Sequence, residues 1–432
     1  MASLRPPALD LPDQSKIHWT SFSKIIRRPE ENWPAQILEQ PIIAKHFKER
    51  TIALIADPDA AKIVLGGSEE QFPRWRIYQV GSVSGRESLS ASSGRQWRRQ
   101  RRAFSPMFRP ESAARLVPLY RHATARTIAA WHAKHEPIRL DISLEMTRLL
   151  LGITWQVLFG QSLEADVPST VARVAEEVHA AQLRGEYNLA ALKIAELADA
   201  AERRGPQRGF VPDNPFDAWD ATAGAPPSHG LTRQDLYDNA RVFLGAGHET
   251  TALAVTWALW LIGQDAATQE RLHHEIDRVI GVGPIEDAHT ARLRFTAQVL
   301  NETLRLFSPG FVTVRQSRDP IVLAGERLPA ASVIAVCIYA LHRHRRWWDE
   351  PDVFRPDRFG SDEPRHRYAF VPFSAGRHAC IGAASGWKEA ITIFATILQR
   401  FRVTTDAAVQ VKLCAGVTLR PDREVPLVLH PR

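Results

Sequence analysis

The chain has 432 residues, 44% hydrophobic and 24% charged, with a net charge of +7. That balance supports a large buried core and excludes a disordered or low-complexity chain. Three cysteines, Cys337, Cys380 and Cys414, are far apart and odd in number, which excludes a disulfide scaffold and suits a reducing compartment.

The first thirty residues include Arg5, Asp10, Asp13, Lys16, Lys24, Arg27 and Arg28. They hold no apolar core of the kind a secretory signal needs. The strongest apolar run, residues 252–262, is well short of the roughly 20 residues that cross a bilayer. The expectation is a soluble, cytoplasmic protein with no membrane anchor. Arg95, Arg98, Arg99, Arg101 and Arg102 fall within eight residues. Such a run is a solvated basic face, a nucleic-acid patch or a face for an acidic partner. No set of stacking aromatics or nucleic-acid motif accompanies it, so no nucleic acid is expected as a partner.

Residues 203–230 hold Pro206, Pro212, Pro215, Pro226 and Pro227 among several glycines. They predict an irregular connection, either an interdomain linker or a surface loop. Thr232 and Asp235 then form a capping box, and a long helix is predicted over 232–262 with Gly263 as its stop. Its middle is unusual for a helix: Gly245, Ala246, Gly247, His248, Glu249, Thr250 and Thr251. Two interior glycines cost about 1 kcal/mol each against alanine, so something must approach closely there. His248 and Glu249 begin like the zinc-protease pattern His-Glu-x-x-His, but position 252 is alanine, so that reading fails.

Two more helices are expected, over 265–280 and up to Phe307. Residues 311–314, 321–323 and 333–338 predict short strands of one small sheet. The last helix carries Trp387, Ile391, Phe394, Ile397, Leu398 and Phe401 on one face. The predicted class is mainly α with a small β region.

The segment just before that helix is the most informative: Phe373, Gly376, His378, Cys380 and Gly382 at the spacing Phe-x-x-Gly-x-His-x-Cys-x-Gly. A helix N-terminus stabilises a thiolate. The glycines let backbone amides approach the sulfur, and Phe373 can shield it. Taken alone, a cysteine is more often a small core hydrophobe, and Cys337 and Cys414 are read that way.

This segment resembles the heme-binding signature of cytochromes P-450, and four further motifs stand in that family's order. Trp97 and Arg101 resemble its Trp-x-x-x-Arg, and residues 246–251 resemble its oxygen-activation motif. Glu302 and Arg305 resemble its Glu-x-x-Arg, and Arg358 in Pro-Asp-Arg-Phe resembles the second arginine of a buried Glu-Arg-Arg network. The likeness covers about residue 94 to the C-terminus. Departures are Ser385-Gly386 where Phe-Ala is usual, His344-Arg345 for Asp-Pro, and Ala331 for a glycine.

The resemblance implies one cytochrome P-450 domain over residues 1–432, with 203–230 a surface loop and not a linker. It implies heme b (iron protoporphyrin IX) between the long helix and the Cys380 loop, with Cys380 as the metal ligand. Ala246, Gly247, Phe373, Gly376 and Gly382 would pack around that cofactor. Trp97, Arg101, Arg315 and His378 would meet its propionates. Glu249 and Thr250 would be the catalytic acid–alcohol pair that relays two protons as the O–O bond breaks.

The implied reaction is monooxygenation by O2 of a hydrophobic small-molecule substrate. The implied pocket draws on Phe243, Leu244, residues 311–314 and residues 416–418. No nucleotide motif or iron–sulfur cysteine set is present, so electrons are expected from an external ferredoxin or flavodoxin. That donor would dock on Arg98, Arg99, Arg102, Arg377 and Lys388. Two alternatives stay open: a peroxide-driven peroxygenase, in which the acid–alcohol pair is typically replaced, and a non-enzymatic thiolate-heme sensor.

Overall fold

The computed structural model describes residues 3–432 except 18, 20, 75–87, 133–136, 161–166, 205–213, 215, 217–229, 362–364 and 407. Most of the predicted surface loop over 203–230 therefore lies outside the described residues. The chain forms two compact units interleaved in sequence. One comprises residues 1–80, 301–380 and 411–422, and the other residues 81–300, 381–410 and 423–432.

The first unit is built on a four-stranded sheet in the order Ile42–Phe47, Arg50–Ile55, Val333–Val336, Thr313–Gln316. The first two strands form a hairpin turned at Lys48, whose φ is 55°. Arg50–Ile55 runs parallel to Val333–Val336, with Ile52 opposite Val333. The last strand is antiparallel. Helix Pro58–Gly66 starts where sequence chemistry dictates: Asp57 accepts from the Ala60 amide at 2.8 Å and Pro58 takes the first turn. Its Val64 and Leu65 pack with Ile55, Ile334, Val336 and Leu341.

The predicted late strands thus do not make one sheet. Residues 321–323 pair with Glu326–Leu328 in a separate hairpin, because Ala324 and Gly325 both take positive φ, 48° and 84°, as a tight two-residue turn requires. The strand begins at Thr313, not residue 311, and the strand predicted over 333–338 stops at Val336, after which Cys337 caps the short helix Ile338–Leu341.

The second unit is helical with one small sheet, Ile138–Asp141, Pro426–Pro431 and Phe401–Thr405, the C-terminal strand lying in the middle. The long helix runs Arg233–Ile262 with the predicted capping box and Gly263 at its end. It packs on helix Ile142–Phe159, which Asp141 caps and Gly160 ends at φ 64°. A Cβ at Gly247 would lie 3.1 Å from Thr154 Cγ2; that close crossing accounts for one of the two glycines. Helix Ile142–Phe159 is long and apolar enough by composition to cross a membrane, and it is 78% buried inside this protein. In the sequence, Glu145 and Arg148 interrupt its apolar run. The last helix spans Ala383–Leu398, and Phe401 belongs to the following strand, not to the helix face.

Candidate functional site

In the first unit, the Cys380 loop is a folded object. The Cys380 amide donates to Phe373 O at 2.9 Å, the Ala379 amide to Gly376 O at 3.1 Å, and the Ser374 amide to Val371 O at 2.9 Å. Gly376 has φ 72°, and a Cβ there would lie 1.8 Å from Leu65 O. Only glycine lets the loop seat on the end of helix Pro58–Gly66. His378 closes the single 3-10 turn Gly376–His378, and Gly382 caps the next helix.

Cys380 is exposed, whereas Cys337 is buried and Cys414 half-buried. Burial pushes the thiols of Cys337 and Cys414 up, away from thiolate formation. The accessible soft donor is therefore Cys380. An exposed sulfur on a loop sealed by glycine fits a metal-bearing prosthetic group.

Arg315, on strand Thr313–Gln316, is 4% exposed and donates to Val314 O at 2.9 Å and Thr313 Oγ1 at 3.2 Å. The predicted ion network also lies in this unit. Glu302 accepts from Arg305 Nε at 2.7 Å and its second terminal nitrogen at 2.9 Å, from Arg358 Nε at 3.0 Å, and from the Arg355 amide at 2.8 Å. Glu302 and Arg305 are fully buried. Arg305 also donates to His342 O, Pro351 O and Val353 O, and Arg358 to Asp349 O and Glu350 O. Burial pulls the Arg305 guanidinium below its ordinary value while the Glu302 carboxylate opposes that pull. His342, held neutral by burial at about 3, accepts from the Val371 amide ahead of the Cys380 loop.

In the second unit, Trp97 is buried with Gln100, Ala103 and Phe104 on one face of helix Gly94–Phe104, and Arg101 follows Trp97 by one turn. That helix is tied to the start of the long helix by a carboxylate the sequence marked only as a cap. Asp235, fully buried, accepts from Thr232 N at 2.7 Å, Gln100 Nε2 at 2.7 Å and Arg99 at 2.5 Å. Burial pushes its pKa up, but these hydrogen bonds and the Arg99 charge together hold it below the ordinary carboxylate value. Asn239 adds a second tie: its Oδ1 accepts from the Leu89 amide at 2.8 Å and its amide donates to Asp235 O at 2.7 Å.

One turn apart on the long helix, Ala246 and Thr250 are exposed while His248 and Thr251 are buried. The Thr250 hydroxyl donates to Ala246 O at 2.9 Å, and Glu249 is partly exposed. His248 Nδ1 donates to Leu244 O at 2.6 Å, and burial depresses its pKa to about 4, so it is neutral at pH 7. Thr251 donates to Glu389, whose buried carboxyl is raised to about 8 by desolvation. Neither Asp235 as a tether nor Glu389 as a neutral acid was legible: both roles depend on a partner distant in sequence. Among the described residues, no three His, Cys, Asp or Glu side chains cluster as metal ligands.

Three expectations change. Phe243 and Leu244 are core residues: Phe243 meets Phe104 edge-on at 5.0 Å and Phe108 at 5.3 Å, and Leu244 is fully buried. Phe311 is likewise buried, against Trp33. Of the five basic residues expected to dock a donor, Arg99 is bound to Asp235 and Lys388 to Asp287 and Thr290.

The sequence profile of cytochrome P-450 matches residues 37–190 and 212–424. Cyclooctatin synthase of Streptomyces melanosporofaciens is 29% identical over 358 residues, 77% of this chain and 75% of that protein. Taurochenodeoxycholic 6 alpha-hydroxylase of Sus scrofa is 26% identical over 420 residues, 88% of this chain and 82% of that protein. With a glycine-sealed loop presenting an exposed thiol, and a profile match that spans most of its length, this chain belongs to the cytochrome P-450 family of heme-dependent monooxygenases.

Proposed function

We propose that Cys380 is the thiolate that holds the heme iron, and that this protein hydroxylates or epoxidises a hydrophobic small molecule. The observation that carries the assignment is the exposed Cys380 at the end of a turn closed onto Phe373 and sealed at Gly376. Heme, taken here as heme b, supplies when bound the activation of O2 by two electrons and two protons, one oxygen atom entering the substrate and one leaving as water.

The chain's own residues divide the remaining work. Amides around Gly382 moderate the charge on the Cys380 sulfur, and Phe373 keeps water from it. Arg315, His378, Trp97 and Arg101 would supply N–H groups to the propionates, for which arginine forks are well matched. The exposed pair Ala246 and Thr250 gives the long helix a small-residue face with a hydroxyl on it. Thr250 passes protons from its hydroxyl, and Glu249 replenishes them from solvent. With Glu249 and Thr250 both present, electron-driven turnover is favoured over the peroxide-driven alternative.

The electron donor in this reading is an acidic ferredoxin or flavodoxin attracted by Arg98 and Arg102 of the second unit, both exposed. Its electron-transfer rate then falls as salt rises; a rate indifferent to salt removes this docking face. None of the three thiols is in a disulfide, which supports a reducing compartment such as the cytoplasm. The whole chain acts as one P-450 domain in this reading.

The test is spectroscopic. The reduced carbon monoxide complex of the wild type has the strongly red-shifted Soret band of thiolate ligation, and Cys380→Ala lacks it; survival of the band refutes the assignment. A panel of terpenoids, fatty acids and aromatics, titrated while the ferric Soret band is followed, identifies the substrate class. With that substrate, Thr250→Ala diverts electrons to peroxide. A sensor keeps its ligand response in that variant, and a peroxygenase turns over on peroxide with no electron donor.

A further inference from the structure

Helix Val117–His132, in the second unit, presents a face of short side chains to solvent. Ala125 and Ala129, one turn apart, are both exposed. Opposite them stand Pro284 and Ile285 and the end of helix Ala383–Leu398 with Thr396, Gln399 and Arg400. Short side chains on one wall leave an open cavity of about 850 Å³. That is the size of small-molecule sites, roughly 300–1,000 Å³, and it is concave where a protein-docking face is usually flat.

The chemistry of its walls is two-sided. Leu116, Leu119, Ile128 and Ile285 make an apolar floor, while Arg115, Arg121, Arg126 and Arg400 make the rim, joined by His122 and His132. No carboxylate lines it among the described residues. Arg121 is 3.9 Å from Glu286 and donates to Ile285 O at 3.1 Å. His132 stacks on Phe401, with ring centroids 5.0 Å apart. Arg115, Arg126 and Arg400 enter no ion pair among the described residues. Arg148, Arg173, Arg402 and Arg432 of the same unit each meet a carboxylate. Exposed arginines without acids around an apolar floor are complementary to a ligand that is apolar along its body and anionic at one end.

We propose that this cleft binds an amphiphilic organic anion, a carboxylate with an apolar body of fatty-acid size. The rim arginines hold its head and the Leu119–Ile128–Ile285 floor takes its tail. The site is built on the outer face of helix Val117–His132 and uses none of the residues assigned above to heme or oxygen, so it stands or falls independently of that chemistry.

The probe is decanoate, titrated calorimetrically into the heme-loaded protein after saturation with a heme-coordinating azole, which keeps decanoate out of the catalytic site. The expected result is saturable binding to one site, weakened about tenfold or more in the double variant Arg126→Gln/Arg400→Gln, with decanol binding as weakly to the wild type. An unchanged Soret response of that variant to the azole certifies its fold, both substitutions being on the surface. The proposal is overturned if decanoate gives no binding, if decanol binds as tightly, or if the double variant binds decanoate with wild-type affinity. Binding to phosphatidylglycerol vesicles without binding of free decanoate would make the face a membrane contact, and competition only by an acidic ferredoxin would make it a protein-docking face; either also overturns it.

Discussion

Glu302→Gln isolates the value of a buried charge in the first unit. The carboxylate accepts four hydrogen bonds, from two nitrogens of Arg305, from Arg358 and from the Arg355 amide, with the donors 2.7–3.0 Å away. Glutamine keeps one acceptor oxygen and turns an NH2 group toward guanidinium donors. Two arginines, 0% and 7% exposed, lose the counter-charge they share among the described residues. Removing one partner of a buried pair costs about 3–5 kcal/mol, because the orphaned charge stays buried. Glu39 in the same unit offers the contrast: it pairs with Arg345 at the surface, both side chains more than half exposed, and Glu39→Gln costs less than about 1 kcal/mol. Urea unfolding of the two heme-loaded variants, followed together by circular dichroism and the Soret band, measures the difference. Equal displacement of the two midpoints, with unchanged slopes, would refute the argument that burial sets the size of the effect.

Three further outcomes follow from single residues. Gly376→Ala drives a Cβ into Leu65 O at a position with φ 72°, so the purified variant should retain much less heme per chain while keeping its helical circular dichroism; normal heme content contradicts the loop geometry. Asp235→Asn leaves Arg99 without its carboxylate and unties helix Gly94–Phe104, which should cost about 1–3 kcal/mol by urea titration; no loss sinks the tether. Glu389 ionises near 8 in the fold against about 4.5 ordinarily. Its contribution to stability is therefore complete below pH about 4.5 and lost as pH rises to about 8, on the order of 5 kcal/mol in all. Glu389→Gln, which cannot ionise, should gain on the wild type between pH 5 and pH 8, and parallel stability profiles for the two would refute the buried-acid reading.

Local chemistry made parts of this fold legible. Thr232 and Asp235 announced the long helix, because a cap and its helix lie within four residues. The unusual residue at 331 was also informative: Ala331 holds φ 61°, the conformation that suits the glycine it replaces. Gly386, by contrast, meets only Thr251 Oγ1 at 3.5 Å, an ordinary contact that an alanine would tolerate. What the sequence hid was pairing at a distance. Strand Arg50–Ile55 gains its second partner, Val333–Val336, from nearly three hundred residues on. Phe243 looked like a pocket residue by position and is instead wedged among Phe104, Phe108 and Phe216. Of the candidate site, Cys380 was readable because its glycines, phenylalanine and histidine surround it locally. The tie between Asp235 and Gln100 was not, because it joins residues 135 positions apart.

The interleaving of the two units has a consequence for how this protein is made. A ribosome delivers the chain from one end, yet the first unit lacks its last segment until residue 422 has emerged, and the second needs residues 423–432. Those final residues include Pro426–Pro431, the middle strand between Ile138–Asp141 and Phe401–Thr405. Neither unit can therefore be finished until these late segments have left the exit tunnel. Helices that pack early, such as Ile142–Phe159, must wait with apolar surface uncovered, a state that favours aggregation. Slow synthesis alone does not relieve that wait, whereas chaperone capacity while those segments emerge does, so yield in a foreign host should depend on the second more than the first.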